Sequence, residues 1–268
     1  MRSILITSPT NPTIKELVRL KDRKGDRAAR SFVVEGLREI ERAIASGFSL
    51  EDLFYCPEEL KTKGFAIVES ARDSRLAEVS KEAFSKVATR DGSDGLIGVF
   101  GIRSATFNDI LKKANGRSPF ILAVENVEKP GNLGAILRTA DGAGVHGVIV
   151  LGHTVDPWNS NVIRSSLGGV FSVPVLNCES SDFFNWCQDN KIRTVAAALT
   201  ERSRSLYETN LKGAIAVVLG SEAHGLTEDS VARCGESVVI PMNGTCDSLN
   251  VSVAAGIFVY EVLRQNHL

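Results

Sequence analysis

No two cysteines in this chain stand in a CxxC pair, and its histidines stand apart from one another and from the cysteines. The five cysteines, Cys56, Cys178, Cys187, Cys234 and Cys246, are odd in number and scattered. That excludes a disulfide framework and a zinc site from the expectation. It suits reduced thiols and a cytoplasmic protein. Neither charge is in excess: 31 Lys and Arg face 32 Asp and Glu. With no global basic field, any affinity for nucleic acid must come from a local patch. Long hydrophobic runs are missing as well. No stretch approaches about 18 consecutive apolar residues, so no membrane span is expected. The opening MRSILITSPTNP carries too short an apolar run for a signal peptide. Low-complexity segments and internal repeats are also lacking.

What remains is a composition of 43% hydrophobic and 24% charged residues, which suits a soluble globular protein. The length of 268 residues allows one large core or two ordinary ones. The first part reads as a small α/β unit. A helix is expected over Thr13–Leu20, a strand at Phe32–Val34, a helix over Leu37–Ser46, and strands at Asp52–Cys56 and Gly95–Phe100. Asn108–Ser118 is polar and rich in Lys, Asn, Gly and Arg. The boundary is placed there, giving a domain over 1–107, a linker over 108–118 and a second domain over 119–268.

In the second domain, apolar runs recur at Phe120–Val124, Gly147–Leu151, Thr194–Ala198, Ala214–Leu219 and Ser237–Ile240, with helical patterns between most of them. Unbroken rather than alternating runs suit strands covered on both faces, which predicts a mainly parallel sheet. Ligands of such sheets bind beyond the carboxyl ends of the strands. Three glycine-bearing polar segments fall at such ends: Glu125–Gly144, Leu219–Gly225 and Ile240–Gly256.

In the first segment, Leu133, Ile136, Leu137 and Ala140 mark the buried stripe of a helix opened by Asn132. At ~100° per residue Arg138 points away from that stripe and shares its face with Gly134, Asp141 and Gly142. A long cation among small residues leaves room for a bulky partner. The same spacing also suits a surface Arg paired with Asp141 and an ordinary Asn132 cap. A dinucleotide fingerprint fits poorly, since Gly131 and Gly134 supply only part of GxGxxG. In the second segment Gly220, Ser221 and Glu222 follow the run AIAVVL, which suits either a close-approaching ligand or a plain loop. In the third, a polar loop over Asn243–Ser248 precedes a helix that is apolar on nearly every side. Such a helix is either deeply buried or sits in a subunit interface. Ser248 and Asn250 suit helix caps, and the loop also suits an adenosine-type ligand held by backbone groups.

Taken in register, NLGAILRTADGAG (Asn132–Gly144), LGSEAHG (Leu219–Gly225) and IPMNGTCDSLNVSVAAGI (Ile240–Ile257) resemble the three motifs of the SpoU-type (TrmH-family) RNA 2′-O-ribose methyltransferases of the SPOUT superfamily. NVIRSSLGGVFSVP (Asn161–Pro174) resembles the stretch between the first two motifs. KDRKGDRAARSFVVEG (Lys21–Gly36) is similar to the start of the substrate-binding domain that many members carry. Glu125 stands where Asp is more usual. The resemblance implies an S-adenosylmethionine-dependent enzyme, a homodimer with its active site at the interface, and a catalytic domain that ends in a deep trefoil knot. Carried over residue by residue, it implies catalytic roles for Arg138, Asn132, Glu222, Ser248 and Asn250. It implies cofactor binding at Leu219, Gly220, Ile240, Met242, Ser248 and Leu249; no metal is expected, because the histidines stand apart from one another and from the cysteines. Ribosomal RNA is the expected substrate, with transfer RNA as the alternative, because the two-domain layout resembles ribosomal-RNA enzymes of the family.

In an RNA enzyme without global positive charge, the basic cluster near the start becomes a candidate phosphate patch. It comprises Arg19, Lys21, Arg23, Lys24, Arg27 and Arg30, with Lys15 beside them; Arg164 is added by resemblance. The bland alternative is a solvated face. Two rival classes remain. A non-catalytic RNA-binding protein on the same fold is opposed by the intact set of motif residues. A nicotinamide-dependent oxidoreductase is opposed by the incomplete glycine fingerprint.

Overall fold

The computed structural model describes residues 4–21, 30–71, 74–89, 93–152 and 155–267. In the first unit the chain runs β1 (Ile4–Ile6), α1 (Pro12–Lys21), β2 (Ser31–Glu35), α2 (Leu37–Ala45), β3 (Leu50–Tyr55), α3 (Thr62–Ser70), β4 (Arg75–Val79), α4 (Lys81–Val87) and β5 (Leu96–Gly101). The strands form one sheet in the order β1-β4-β3-β5-β2, with β5 antiparallel to both of its neighbours. Asn11 Oδ1 accepts from Thr13 N at 2.8 Å where α1 opens at Pro12, a position that needs no amide donor. Ile14 and Leu17, three residues apart, bring the apolar side of α1 into a core with Phe54, Phe84 and Ile97.

The chain continues as α5 (Phe107–Ala114), β6 (Phe120–Glu125), α6 (Pro130–Gly142), β7 (Gly147–Leu151), α7 (Ser160–Ser165), α8 (Gly169–Ser172), β8 (Val175–Cys178), α9 (Ser180–Asp189), β9 (Arg193–Ala197), β10 (Arg204–Ser205), β11 (Ile215–Leu219), α10 (Glu228–Arg233), β12 (Glu236–Val239) and α11 (Val251–His267). The seven strands of the second unit lie in the order β10-β12-β9-β11-β6-β7-β8, and every pairing is parallel. All residues of β6, β7 and β11 are buried, as unbroken apolar runs require.

The units do not divide the chain as the polar stretch suggests. The first comprises Met1–Arg103 together with Asp156–Ser172; the second takes Ser104–Val155 and Val173–Leu268. Most of 108–118, expected as a linker, is helix α5. Thr106 and Asp109 form a capping box at its start, and Ile110 is fully buried beside Gly147. Phe107 stacks on Trp186 with ring centroids 4.5 Å apart. The lysines in this stretch mask an apolar face at Phe107, Ile110 and Ala114. The segment 156–172 joins the first unit through aromatics: Trp158 stacks on Phe32 at 4.7 Å and Phe171 lies 6.0 Å from the same ring.

Helix α11 buries Val251, Ala255, Phe258, Val259 and Val262, yet Val253 and Tyr260 stay about half exposed, at 51% and 53%. It is therefore not buried all round, and its open side carries the apolar Val253 and Tyr260 as well as Arg264 and Asn266. Among the described residues no helix is long and apolar enough to cross a membrane.

Candidate active site at the carboxyl edge of the parallel sheet

One row of paired residues fixes where the three polar segments meet. Val238 pairs with Ala197, Ala197 with Leu219, Leu219 with Val124, and Val124 with Val150. The segments after β6, β11 and β12 all leave the sheet at this row, beyond the strands' carboxyl ends.

Glu222 is the centre of the arrangement. Lys129 Nζ donates to its Oε2 at 2.8 Å and Asn132 Nδ2 donates to its Oε1 at 3.0 Å. Asn250 Nδ2 also donates to Oε1, and reaches Asn132 Oδ1 at 3.3 Å. Asn250 Oδ1 in turn accepts from Ser252 N at 2.9 Å and Ser252 Oγ at 2.6 Å, capping the start of α11. Four side chains from three distant segments thus tie the first turn of α6 to the first turn of α11. The Lys129 ammonium, and after it Asn132, holds the Glu222 carboxyl below its ordinary value; the carboxylate raises Lys129 in return. Lys129 is absent from the motif-based set, because a lysine before Pro130 carries no periodic or motif signal.

Glu125 closes the other side of the second segment. It is 4% exposed and accepts from Thr227 N at 2.8 Å, Thr227 Oγ1 at 3.1 Å and Ser230 Oγ at 2.6 Å. A buried carboxylate survives with such a set of donors. It pins the start of α10, and with it the end of the Ser221–Gly225 loop, to β6.

Gly220 has a reason of its own. A Cβ there would lie 2.0 Å from the carbonyl carbon of Gly225 and 2.2 Å from Leu226 N. The loop folds back on itself, with Ser221 and Gly225 exchanging backbone hydrogen bonds at 3.1 and 3.0 Å. The glycine therefore admits the chain's own backbone, whether or not a ligand also approaches.

Arg138 is exposed on α6, about 9 Å of helix rise beyond Asn132. It makes no hydrogen bond or ion pair with the described residues; the charge of Asp141 acts on Lys113 instead. The structure does not draw Arg138 into the Glu222 network. Ser248 is exposed and outside it too, donating to Asp247 Oδ1 at 3.3 Å. Leu219 is buried, whereas Met242 and Leu249 are half-buried.

The cofactor implied by the motif resemblance can be tested against the third segment. Among the described residues, the main chain of 240–249 makes no backbone hydrogen bond to other backbone. Its free donors and acceptors are the kind of groups that an adenosine needs. Cys246 in this loop is exposed, whereas burial pushes the Cys178, Cys187 and Cys234 thiols up to about 12 and raises Cys56. A thiol reagent at pH about 8 should label Cys246 alone in the folded protein, and saturating S-adenosylmethionine should slow that labelling severalfold. Mass mapping checks both; unaltered labelling with cofactor bound would remove 243–248 from the site.

Of the basic residues near the start, Arg19 pairs with Glu16 at 2.8 Å. Lys21 is committed to Glu35 at 2.7 Å and to the Val87 carbonyl, with a side chain only 10% exposed. Arg30 is exposed, and Arg164 is exposed and donates to Asn161 Oδ1 at 2.8 Å. Arg23, Lys24 and Arg27 lie outside the described residues.

Comparison with known proteins agrees with this geometry. Residues 119–260 match the SpoU rRNA Methylase family, and residues 11–98 match the MRM3-like substrate binding domain. The 23S rRNA (guanosine-2′-O-)-methyltransferase RlmB of Pectobacterium atrosepticum is 38% identical over 152 residues, which cover 56% of this chain and 62% of that enzyme. The chain thus matches less than two thirds of that relative's length. A crystal structure of an RNA 2′-O ribose methyltransferase superposes with a TM-score of 0.81 at 38% identity, covering 98% of this chain and 99% of the other. The AdoMet-bound rRNA methyltransferase of Sinorhizobium meliloti gives a TM-score of 0.85 at 30% identity, covering 97% of each chain. The parallel sheet, the three converging segments and these matches together place the chain in the SpoU rRNA Methylase family.

Proposed function

We propose that the chain transfers a methyl group from S-adenosylmethionine to a ribose 2′-oxygen of ribosomal RNA. In this reading it works as a cytoplasmic homodimer with a knotted carboxyl-terminal segment, and residues 1–107 serve as its RNA-binding domain. The observation that carries the reading is the meeting of Asn132, Glu222 and Asn250 beside a loop of unpaired main chain. The RlmB relative's name supports ribosomal RNA as substrate. The half-exposed Val253 and Tyr260 on α11 support a subunit interface there.

Bound cofactor supplies an electrophilic methyl on a sulfonium centre. The chain's part is to hold the loop 240–249, align the ribose and manage its proton. Glu222 accepts from three side chains, which makes it a fastener of the two helix starts rather than a base. Arg138 carries no competing partner among the described residues, so its fork is available to an RNA phosphate and the attacking oxygen. A guanidinium barely deprotonates. Its role is to orient the 2′-hydroxyl and stabilise the developing alkoxide.

The depressed Glu222 carboxyl fixes the sign of one pH effect. Its folded value lies under the ordinary 4.5. The stabilisation is complete above the unfolded value and is lost only as pH falls through the folded one. Cofactor affinity should show no ionisation of this group between about pH 6 and pH 8, and Lys129→Met should move the acid limb upward. Titration calorimetry across pH checks this; an unmoved limb in Lys129→Met contradicts it.

The ribose assignment has a direct test. DNA of the same sequence lacks the 2′-hydroxyl and should accept no methyl group. Labelled methyl transferred to DNA at a comparable rate would overturn it.

A further inference from the structure

A cavity of about 580 Å³ lies wholly within the first unit, beside the start of α2. Its apolar wall includes Val33 and Ile163, each 2% exposed. The rest is polar, with Glu35, Thr89, Ser93 and Ser160 beside two ion pairs of unequal depth. Arg38 is 53% exposed and its partner Glu39 only 9%; Lys61 is 68% exposed and its partner Asp94 22%. The carboxylates are fixed in the wall while the cations stand at the rim, free to swing to another anion at small cost. Arg164, from α7, adds a third rim cation held, among the described residues, only by Asn161.

Glu39 is the unusual member. Arg38 donates twice to Oε1, and Oε2 has no partner among the described residues. Oε2 lies 3.1 Å from where a Cβ on Gly36 would stand, so the glycine, at φ +100°, leaves this oxygen uncovered. Gly36 also gives α2 no side-chain cap, and Leu37 N meets Asp94 Oδ2 only at 3.4 Å. A buried acceptor wall with a cationic rim is complementary to a nucleotide: N–H donors on the base edge inside, phosphate outside. Among the bases, guanine alone offers two neighbouring donors, N1–H and the 2-amino group, to one carboxylate. Those donors are free only on an unpaired nucleotide turned out of a helix.

We propose that this cavity binds a single extruded guanosine nucleotide of the RNA. Its Watson–Crick edge sits on Glu39 and its flanking phosphates on Arg38, Lys61 and Arg164. The proposal rests on the RNA reading above and adds a base-specific site in the other unit.

The test uses the full chain without cofactor and labelled oligouridine carrying one central G, inosine or A, or none, read by fluorescence anisotropy. The G oligonucleotide should bind about tenfold more tightly than the others, inosine losing most of the advantage with its 2-amino group. Glu39→Gln should erase the G advantage and leave plain oligouridine unchanged. Arg38→Ala and Lys61→Ala should weaken all the oligonucleotides alike and flatten the salt dependence. Equal binding of G and inosine by the unaltered protein overturns the proposal, and this arm needs no variant to fold. A G advantage that survives in Glu39→Gln overturns it too. Methyl transfer to ribosomal RNA, assayed in parallel, separates the claims: transfer without any G preference removes the cavity and leaves the proposed function standing.

Discussion

Arg138→Ala should lower single-turnover methyl transfer by roughly 10²–10³-fold, the loss typical when one donor to a developing oxyanion is removed. Its binding of RNA and of cofactor should change little. The expectation follows from position. Arg138 is exposed on α6, between the small residues Gly134 and Gly142, and is engaged by no described residue. Removing it leaves no buried partner stranded and creates no cavity, so the fold has little reason to respond. Arg138→Lys keeps the charge but loses the planar fork, and should recover only part of the rate. Stopped mixing of enzyme, labelled cofactor and RNA gives the rate, and anisotropy gives the affinity. A loss of only a few-fold at unchanged affinity would take Arg138 out of the chemical step.

The second large effect is expected at Gly220. In Gly220→Ala the new methyl meets backbone, at 2.0 Å from Gly225 and 2.2 Å from Leu226, which no side-chain rotation can relieve. The Ser221–Gly225 loop has to move and takes Glu222 away from Lys129, Asn132 and Asn250. Overpacking of this kind costs about 1–3 kcal/mol. For a domain of this size that lowers Tm by roughly 2–4 °C per kcal/mol. Cofactor affinity should fall by at least about tenfold, since the loop and the start of α11 lose their common fastener. Gly131→Ala is the control. A Cβ there meets nothing within 4 Å, and the helix gains from alanine. If the two variants behave alike in thermal melts and cofactor titrations, the packing account of the loop fails.

The central strands of the parallel sheet were legible because burial on both faces leaves β6, β7 and β11 no choice but unbroken apolar runs. Short edge elements carried too little signal. β1 has three residues, β10 two, and β8 reads VLNC, with only its first residue buried. α5 is hidden for a different reason: the exposed Lys112 and the half-buried Lys113 outweigh Phe107, Ile110 and Ala114 on its inner face. Nothing local announces that 156–172 belongs with the first unit. That follows from Trp158 and Phe171 meeting Phe32, more than 120 residues away, and pairing over such a distance is not written in periodicity. At the site, the resemblance to the family's motifs singled out Asn132, Glu222 and Asn250, which the structure joins. It passed over Lys129, whose importance exists only once the chain folds back on Glu222. Glu125 stands in the sequence only as a departure from Asp, and its task of gathering Thr227 and Ser230 is again a long-range fact.

The most direct measurement of the central claim is incubation of the purified chain with methyl-labelled S-adenosylmethionine and, in separate reactions, unmodified ribosomal RNA or transfer RNA, followed by alkaline hydrolysis. A 2′-O-methyl group blocks the neighbouring oxygen from attacking the phosphodiester. The account predicts label in an alkali-resistant dinucleotide from ribosomal RNA, and none from transfer RNA. Label released as a mononucleotide methylated on its base would contradict it, as would label confined to transfer RNA.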